Sequence, residues 1–186
     1  MISTIIDFLA ILTIVGDALI VIALVFFAGM RNQRMRGVVV RVGKHGIAFA
    51  CIVAVIATVG SLFLSEIAHF TPCRLCWFQR ILMYPQIVVL GVALWKKERR
   101  ISVMNAAILS IIGLGFAKYH YYLQMFSDSV KPCSTFDPVS CTEKVIVHFG
   151  YITIPMMALT AFALILLFLT SVYVADKKNQ TESVGK

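Results

Sequence analysis

The stretch TPCRLCWFQR contains two cysteines, Cys73 and Cys76, whose spacing is suited to thiol–disulfide chemistry. A disulfide across Cys-x-x-Cys closes a very small ring, so it is usually labile and suited to exchange rather than to holding a fold together. Thr71 can cap a helix and Pro72 is a favoured first helical residue. We therefore expect both cysteines in the opening turns of a helix, whose positive end stabilises a thiolate.

Arg80 follows Cys73 by seven residues and Cys76 by four, so the three side chains would share one face of that helix. At 1.5 Å per residue, Arg80 would lie roughly 10 Å deeper than Cys73. A charge inside a membrane costs free energy, about 3 kcal/mol at the very centre, so a functional role is the first hypothesis. The alternative is a side chain that extends back to the surface.

The elements that position these residues are predicted to be membrane-spanning helices. The chain is 60% hydrophobic and 14% charged, with a mean hydropathy of +0.88, which is typical of a membrane protein. Its first apolar stretch is too long for a cleaved signal and lacks a positive n-region. The predicted fold class is therefore all-α, a polytopic membrane helical bundle. Its five predicted spans are residues 8–30, 46–65, 75–95, 101–122 and 150–175.

The basic residues indicate which loops face the cytoplasm. Twelve of the 17 lysines and arginines lie in the loop 31–44, the turn 96–100 and the tail after residue 176. These segments are predicted to be cytoplasmic, so the N-terminus and the other two loops face outward. The net charge of +8 thus indicates topology and contact with anionic lipid rather than with nucleic acid.

Four of the five cysteines fall in the two outward loops, where disulfides form and persist. Cys73 and Cys76 precede the third span, and Cys133 and Cys141 precede the fifth. The remaining cysteine, Cys51, lies inside the second span and is interpreted as a small core hydrophobe.

Two other uses of the outward cysteines remain open at this point. Four thiols could bind zinc or copper in a metal-binding or transport protein, although the spacing Cys133-x7-Cys141 is unusual for such ligands. Both pairs could also be structural disulfides, and closing the loop 133–141 would contribute about 2.5 kcal/mol on the chain-entropy model. That role suits the second pair better than the first.

If both pairs exchange, the electrons need an acceptor. The sequence has no G-x-G-x-x-G or P-loop motif and no segment outside the spans large enough for a flavin domain. A lipid-soluble quinone is therefore expected, with Arg80 stabilising negative charge on its oxygen. A vitamin K epoxide reductase would also use a quinone and a Cys-x-x-Cys motif. There the motif usually opens the last span, whereas here it opens the third of five.

The run PCRLCWFQRILMYP, the second cysteine pair and the stretch FGYITIPMMALTAF resemble the disulfide bond formation protein B family, especially its short BdbC-type members. The resemblance implies a thiol oxidase of the bacterial cytoplasmic membrane, which reoxidises an extracytoplasmic DsbA-like partner and reduces ubiquinone or menaquinone. It further implies that Cys133 forms the mixed disulfide with the partner and that Cys141 attacks toward Cys73. Cys76 would then engage the quinone beside Arg80, and no metal is required.

The family unit has four spans, so the expected domains are an additional N-terminal transmembrane helix with its basic loop (1–42), the four-helix unit (43–175) and a cytoplasmic tail (176–186). Asp17 lies within the additional span and has no assigned role. His120, at the outer end of the fourth span, could hydrogen-bond a quinone carbonyl or could simply pack at the interface.

Overall fold

The computed structural model describes residues 2–95, 100–126, 141 and 147–184. Within these ranges the chain forms five long α-helices: α1 (Ile2–Ala28), α2 (Gln33–Leu62), α3 (Arg74–Trp95), α4 (Arg100–Phe126) and α5 (Ile154–Val184). All five are long and apolar enough to cross a membrane. The predicted all-α membrane bundle is confirmed. Helices suit a membrane because each one satisfies its own backbone hydrogen bonds.

Two helices begin or end in places that hydropathy does not predict. The expected basic loop from Arg31 to Lys44 is wrong, because α2 already starts at Gln33. Asn32 caps this start, and its side-chain oxygen accepts a hydrogen bond from the backbone N–H of Arg34 at 3.1 Å. Similarly, α5 continues to Val184, so most of the expected tail is helical. A helix needs apolar residues only where it crosses lipid, and its polar ends can extend into water.

The centre of the bundle depends on small residues that let helices approach closely. A Cβ added to Gly46 of α2 would lie 2.6 Å from Cγ2 of Val172 and 2.8 Å from the carbonyl oxygen of Phe168, both in α5. A Cβ on Gly113 of α4 would overlap the ring of Phe162, which is fully buried. Helix α5 therefore packs directly against the backbones of α2 and α4.

A buried polar contact joins α3 to α4 in the same core. Ser110 donates a hydrogen bond to Oε1 of Gln86 at 3.1 Å, and both residues are fully buried. The Gln86 amide nitrogen donates to the backbone oxygen of Leu82 at 3.1 Å. These bonds satisfy polar atoms that would otherwise be costly to bury.

One end of the bundle carries the features described below. There α2 continues as a short π-helix, Phe63–Ile67, and a loop leads to Cys73 and the start of α3. The backbone N–H of Phe70 donates to the oxygen of Leu64 at 3.0 Å, which turns this loop back over the helix end. The start of α1, the end of α4 and the start of α5 lie at the same end, since residues of all three line a common cavity there.

Candidate functional site

Cys73 and Cys76 lie together at the beginning of α3. The backbone oxygen of Cys73 accepts a hydrogen bond from the N–H of Trp77 at 3.1 Å, so Cys73 is the residue that caps the helix. Helix α3 thus starts at Arg74, two residues later than the predicted start at Pro72. Both cysteines are free thiols, and their sulfurs are 3.2 Å apart. Cys73 is buried and Cys76 is half-buried.

His120 of α4 lies against this pair. Its Nε2 is 3.6 Å from the sulfur of Cys73, and its Nδ1 is 3.1 Å from the side-chain nitrogen of Gln79. When the Gln79 amide donates to Nδ1, the neutral ring carries its proton on Nε2, which then points at the Cys73 sulfur. His120 is only 1% exposed and Gln79 only 5%, so these contacts are shielded from water.

The surroundings of Cys73 favour its thiolate. The hydrogen bond with Cys76 lowers the pKa of the Cys73 thiol below its ordinary value, and the hydrogen bond with the His120 ring acts in the same direction. Burial raises the pKa but does not outweigh these contacts. Because a thiolate is the form that attacks or leaves in thiol–disulfide exchange, this sulfur is chemically prepared for that reaction.

Arg80 is held in place by Ser61 of α2. Its Nε donates to Oγ of Ser61 at 3.1 Å, and its Nη2 donates to the backbone oxygen of Ser61 at 3.0 Å. Tyr84 also donates to Oγ of Ser61, at 3.3 Å. The guanidinium carbon of Arg80 lies 5.5 Å from the centre of the Trp77 ring, a cation–π contact. These contacts keep the cation inside the bundle.

A cavity of about 320 Å³ connects these groups. As expected from their spacing, Cys73, Cys76 and Arg80 all line it, and so does His120. The rest of its wall is mostly apolar and comes from all five helices. An apolar cavity with a few polar groups at one end is typical of a site for a small organic molecule.

The second cysteine pair falls largely outside the described residues. Cys133 is among the residues that the structure does not describe. Cys141 is 1% exposed and is disulfide-bonded, so it is not a thiolate ligand for a metal in this state. Among the described residues, the group that could bind a metal ion is instead Cys73, Cys76 and His120, whose ligand atoms all lie within 4.8 Å of one another.

Two residues of the site were missed by the sequence analysis. Gln79 is an amide within an apolar span, a signal that could have been recognised, and it contacts His120. Ser61 carries no such signal, because its partner Arg80 is 19 residues away on another helix.

The chain is similar to known proteins over most of its length. Residues 43–172 match the family model for disulfide bond formation protein DsbB. The chain is 43% identical over 120 residues to disulfide bond formation protein C of Bacillus subtilis (strain 168), an alignment covering 63% of this chain and 85% of that protein. It is 46% identical over 110 residues to probable disulfide formation protein C 1 of Bacillus anthracis, covering 58% and 76%.

A third relative is the SPbeta prophage-derived disulfide bond formation protein B of Bacillus subtilis (strain 168), which is 43% identical over 108 residues, covering 58% of this chain and 72% of that protein. No solved structure matches the chain significantly. The family match covers α3, with both cysteines and Arg80, together with α4 and most of α2 and α5. The chain belongs to the disulfide bond formation protein DsbB family, and it is a multi-pass membrane protein with a disulfide oxidoreductase role.

Proposed function

We propose that this protein reoxidises an extracytoplasmic, DsbA-like thiol oxidase of thioredoxin fold and passes the electrons to a membrane quinone. The observation that carries the proposal is the pair of sulfurs 3.2 Å apart at an apolar cavity that also holds Arg80. Thiols at this cavity could react with a ligand dissolved in the bilayer. They could also exchange with a protein partner on the outer face of the membrane.

The cavity has the chemistry that a quinone ring and an apolar tail require. Its wall is mostly aliphatic, and its polar donors are gathered beside the two sulfurs. Arg80 uses two of its five N–H groups on Ser61, which leaves donors for a carbonyl oxygen. A bound quinone would supply a two-electron, two-proton acceptor. Arg80 and His120 are the residues proposed to hold its oxygens.

The four outer cysteines are proposed to act in sequence. The partner's dithiol attacks the Cys133–Cys141 disulfide at Cys133, and it becomes a disulfide as this pair is reduced. The thiol of Cys141 then attacks the Cys73–Cys76 disulfide at Cys73, which restores the second pair and leaves two thiols on the first. Cys76 and Cys73 finally re-form their disulfide and give up two electrons and two protons to the acceptor.

The residues around the first pair have separate proposed tasks in this route. When Cys141 attacks Cys73, Cys76 leaves as the thiol and Cys73 is joined to Cys141. The low pKa of Cys73 makes its sulfur a good leaving group in the next step, in which Cys133 attacks Cys141 and releases Cys73. Cys76 is the sulfur that would engage the acceptor, since it follows Cys73 into the helix toward Arg80. The guanidinium supplies a fixed positive charge in a site with little water, where such a charge stabilises developing negative charge most strongly.

The proposed location is the bacterial cytoplasmic membrane, with the N-terminus outside, the C-terminus in the cytoplasm and the redox cysteines on the outer face. The support is the excess of lysine and arginine at the other end of the bundle. The additional helix α1 preserves this orientation, because it enters from outside and leaves four spans after it.

The proposal is tested by a trapped partner and by quinone reduction. In the Cys141→Ser variant, the lone Cys133 thiol should attack the disulfide of the oxidised partner. The resulting mixed disulfide should accumulate and identify the partner by mass spectrometry. The Cys76→Ser variant should lose quinone reduction by reduced partner, whereas the Cys51→Ser variant should retain it. Undiminished turnover of Cys76→Ser would remove the first pair from the reaction.

Metal binding is a second candidate function, favoured by the close group of Cys73, Cys76 and His120. Two thiolates and an imidazole are a normal zinc or copper donor set. Metal analysis of protein purified under reducing conditions separates the two functions. Stoichiometric metal that is lost in the Cys73→Ser variant, together with no quinone reduction, would favour the metal-binding function.

A further inference from the structure

The helix that lies outside the family match, α1, contributes six residues to the wall of the cavity. Four of the six form a stripe, since Leu9, Leu12, Thr13 and Gly16 are three and four residues apart and lie on one face. Thr13 is only 6% exposed, and its hydroxyl is satisfied by the backbone oxygen of Leu9 at 2.9 Å. This face therefore presents apolar groups to the cavity.

The opposite face of α1 is exposed and apolar, as expected for contact with lipid. Ile11 is 52% exposed and Val25 is 58% exposed, and neither lines the cavity. The helix thus stands between the cavity and the surrounding bilayer. A ligand in the cavity would contact α1 on one side and α2, α3 and α5 on the others.

Polar contacts hold α1 in this position. Oδ1 of Asp17 accepts a hydrogen bond from Thr160 of α5 at 2.7 Å, and its Oδ2 accepts one from Tyr151 at 3.4 Å. Near the start of α1, Oδ1 of Asp7 lies 3.4 Å from Nδ1 of His148. An acid in an apolar span is costly unless it is paired, so the bond to Thr160 specifies where α1 packs.

Close packing accompanies these bonds. A Cβ added to Gly16 would lie 2.8 Å from Cγ2 of Thr160 and 3.2 Å from Cδ1 of Leu164. On the other side of the stripe, a Cβ on Gly60 of α2 would lie 3.1 Å from Cδ2 of Leu9. Helix α1 therefore fits between α2 and α5 and closes the cavity there.

We propose that α1 is part of the quinone-binding site, where its stripe of Leu9, Leu12, Thr13 and Gly16 forms a wall against the apolar part of the quinone. The proposal rests on the proposed function, since it assigns the cavity to the same acceptor. It gives Asp17 a role as a positioning residue, which holds α1 against α5. The region shared with the family would then supply the redox groups, and this chain's additional helix would complete the pocket.

The first test is photolabelling of the full-length protein in lipid nanodiscs with radiolabelled azido derivatives of ubiquinone and menaquinone. Peptide mapping should find label in α1 between Leu9 and Leu19 as well as in α3. Label in α3 but none in α1 would overturn the inference and leave the proposed function standing. No specific label in any helix would overturn both.

The second test compares two tryptophan substitutions on adjacent residues of α1. Leu12→Trp adds bulk to the wall of the cavity, and Ile11→Trp adds the same bulk on the lipid side. Equilibrium binding of the radiolabelled quinone should weaken at least tenfold in Leu12→Trp and less than twofold in Ile11→Trp. Equal affinity in the two variants would overturn the inference. If Leu12→Trp does not fold, the photolabelling of the unsubstituted protein tests the inference on its own.

The rate of exchange with the thiol partner shows whether a substitution weakens quinone binding alone or disturbs the whole helical bundle. The rate of the first exchange step, measured with no quinone present, should be unchanged in Leu12→Trp, because Cys133 is attacked from outside the membrane. An equal loss of exchange and of quinone binding would indicate a disturbed bundle and contradict a wall specific to the quinone.

Discussion

The charge of Arg80 is expected to matter for the reaction with quinone and much less for exchange with the thiol partner. Replacing it with alanine removes charge-assisted hydrogen bonds worth about 1.5–3 kcal/mol, so the affinity or rate for quinone should fall about 10- to 100-fold. Exchange with the reduced partner should fall much less. Stopped-flow measurements of the two half-reactions check this, and an equal loss of both would end the proposed role of Arg80 at the quinone.

Ser61→Ala is the matched test of how Arg80 is positioned. It removes the hydroxyl that accepts from Nε but keeps the backbone oxygen that accepts from Nη2. The reaction with quinone should therefore be weakened, as in Arg80→Ala, but by a smaller factor. Rescue is expected with Ser61→Thr, which restores a hydroxyl.

His120 contributes to the pH at which Cys73 reacts, and Gln79 contacts the His120 ring. The pKa of Cys73 is lowered by Cys76 and by His120, so its thiolate is present at a pH where an ordinary thiol is protonated. Replacing His120 with leucine should raise this pKa, and the alkylation profile of Cys73 should move to higher pH by about one unit or more. Gln79→Leu should shift it in the same direction by less.

The alkylation of the two sulfurs can be measured separately. Trypsin cleaves after Arg74, so Cys73 and Cys76 fall in different peptides. Mass spectrometry of iodoacetamide-treated protein across a pH series then reports each thiol. A Cys73 profile that does not move in His120→Leu would contradict the hydrogen bond to Nε2 as a cause of the low pKa.

At the scale of helices, two glycines of α4 test how closely α5 packs. Gly113 and Gly115 are two residues apart, and only Gly113 is closely packed. Gly113→Ala should destabilise the protein by about 1–3 kcal/mol, because its methyl group would overlap the ring of buried Phe162. Gly115→Ala has open space within 4 Å and should be neutral or stabilising by up to about 1 kcal/mol.

Unfolding in detergent, followed by circular dichroism, compares these two variants directly. They change the same residue type in the same helix, so differences in helix propensity cancel. Equal stability of the two would mean that Phe162 moves away from Gly113 at no cost, and that α4 and α5 are not packed as described.

At the scale of the whole molecule, orientation in the membrane is the open prediction. The two ends of α2 and its π-helical extension provide a direct test, since Arg31 and Glu66 are both exposed and lie at opposite ends. In protein whose native cysteines are replaced by serine, Glu66→Cys should react with a membrane-impermeant maleimide on intact cells. Arg31→Cys should react only after the cells are lysed. The reverse pattern would place the redox cysteines on the cytoplasmic face and refute the proposed partner.

The predicted spans agree with the helices in number and approximate position, because a stretch of about 20 apolar residues is a local signal with a direct physical meaning. The boundaries were less predictable. Polar residues can continue a helix into water, so the charge pattern from Arg31 to Lys44 predicts a loop although α2 begins at Gln33. Composition alone also did not distinguish Gly113 from Gly115, since their surroundings depend on which side of α4 faces Phe162.

The sequence by itself determined that this is a membrane bundle of five spans, with a Cys-x-x-Cys pair at a helix start and an arginine on the same face. These features depend on local composition and on the fixed periodicity of the helix. Only the tertiary structure decided that Gln79 holds His120 against Cys73, that Ser61 holds Arg80, and that α1 closes the cavity. Each of these contacts joins residues from different helices, and their meeting depends on how the helices pack rather than on any local pattern.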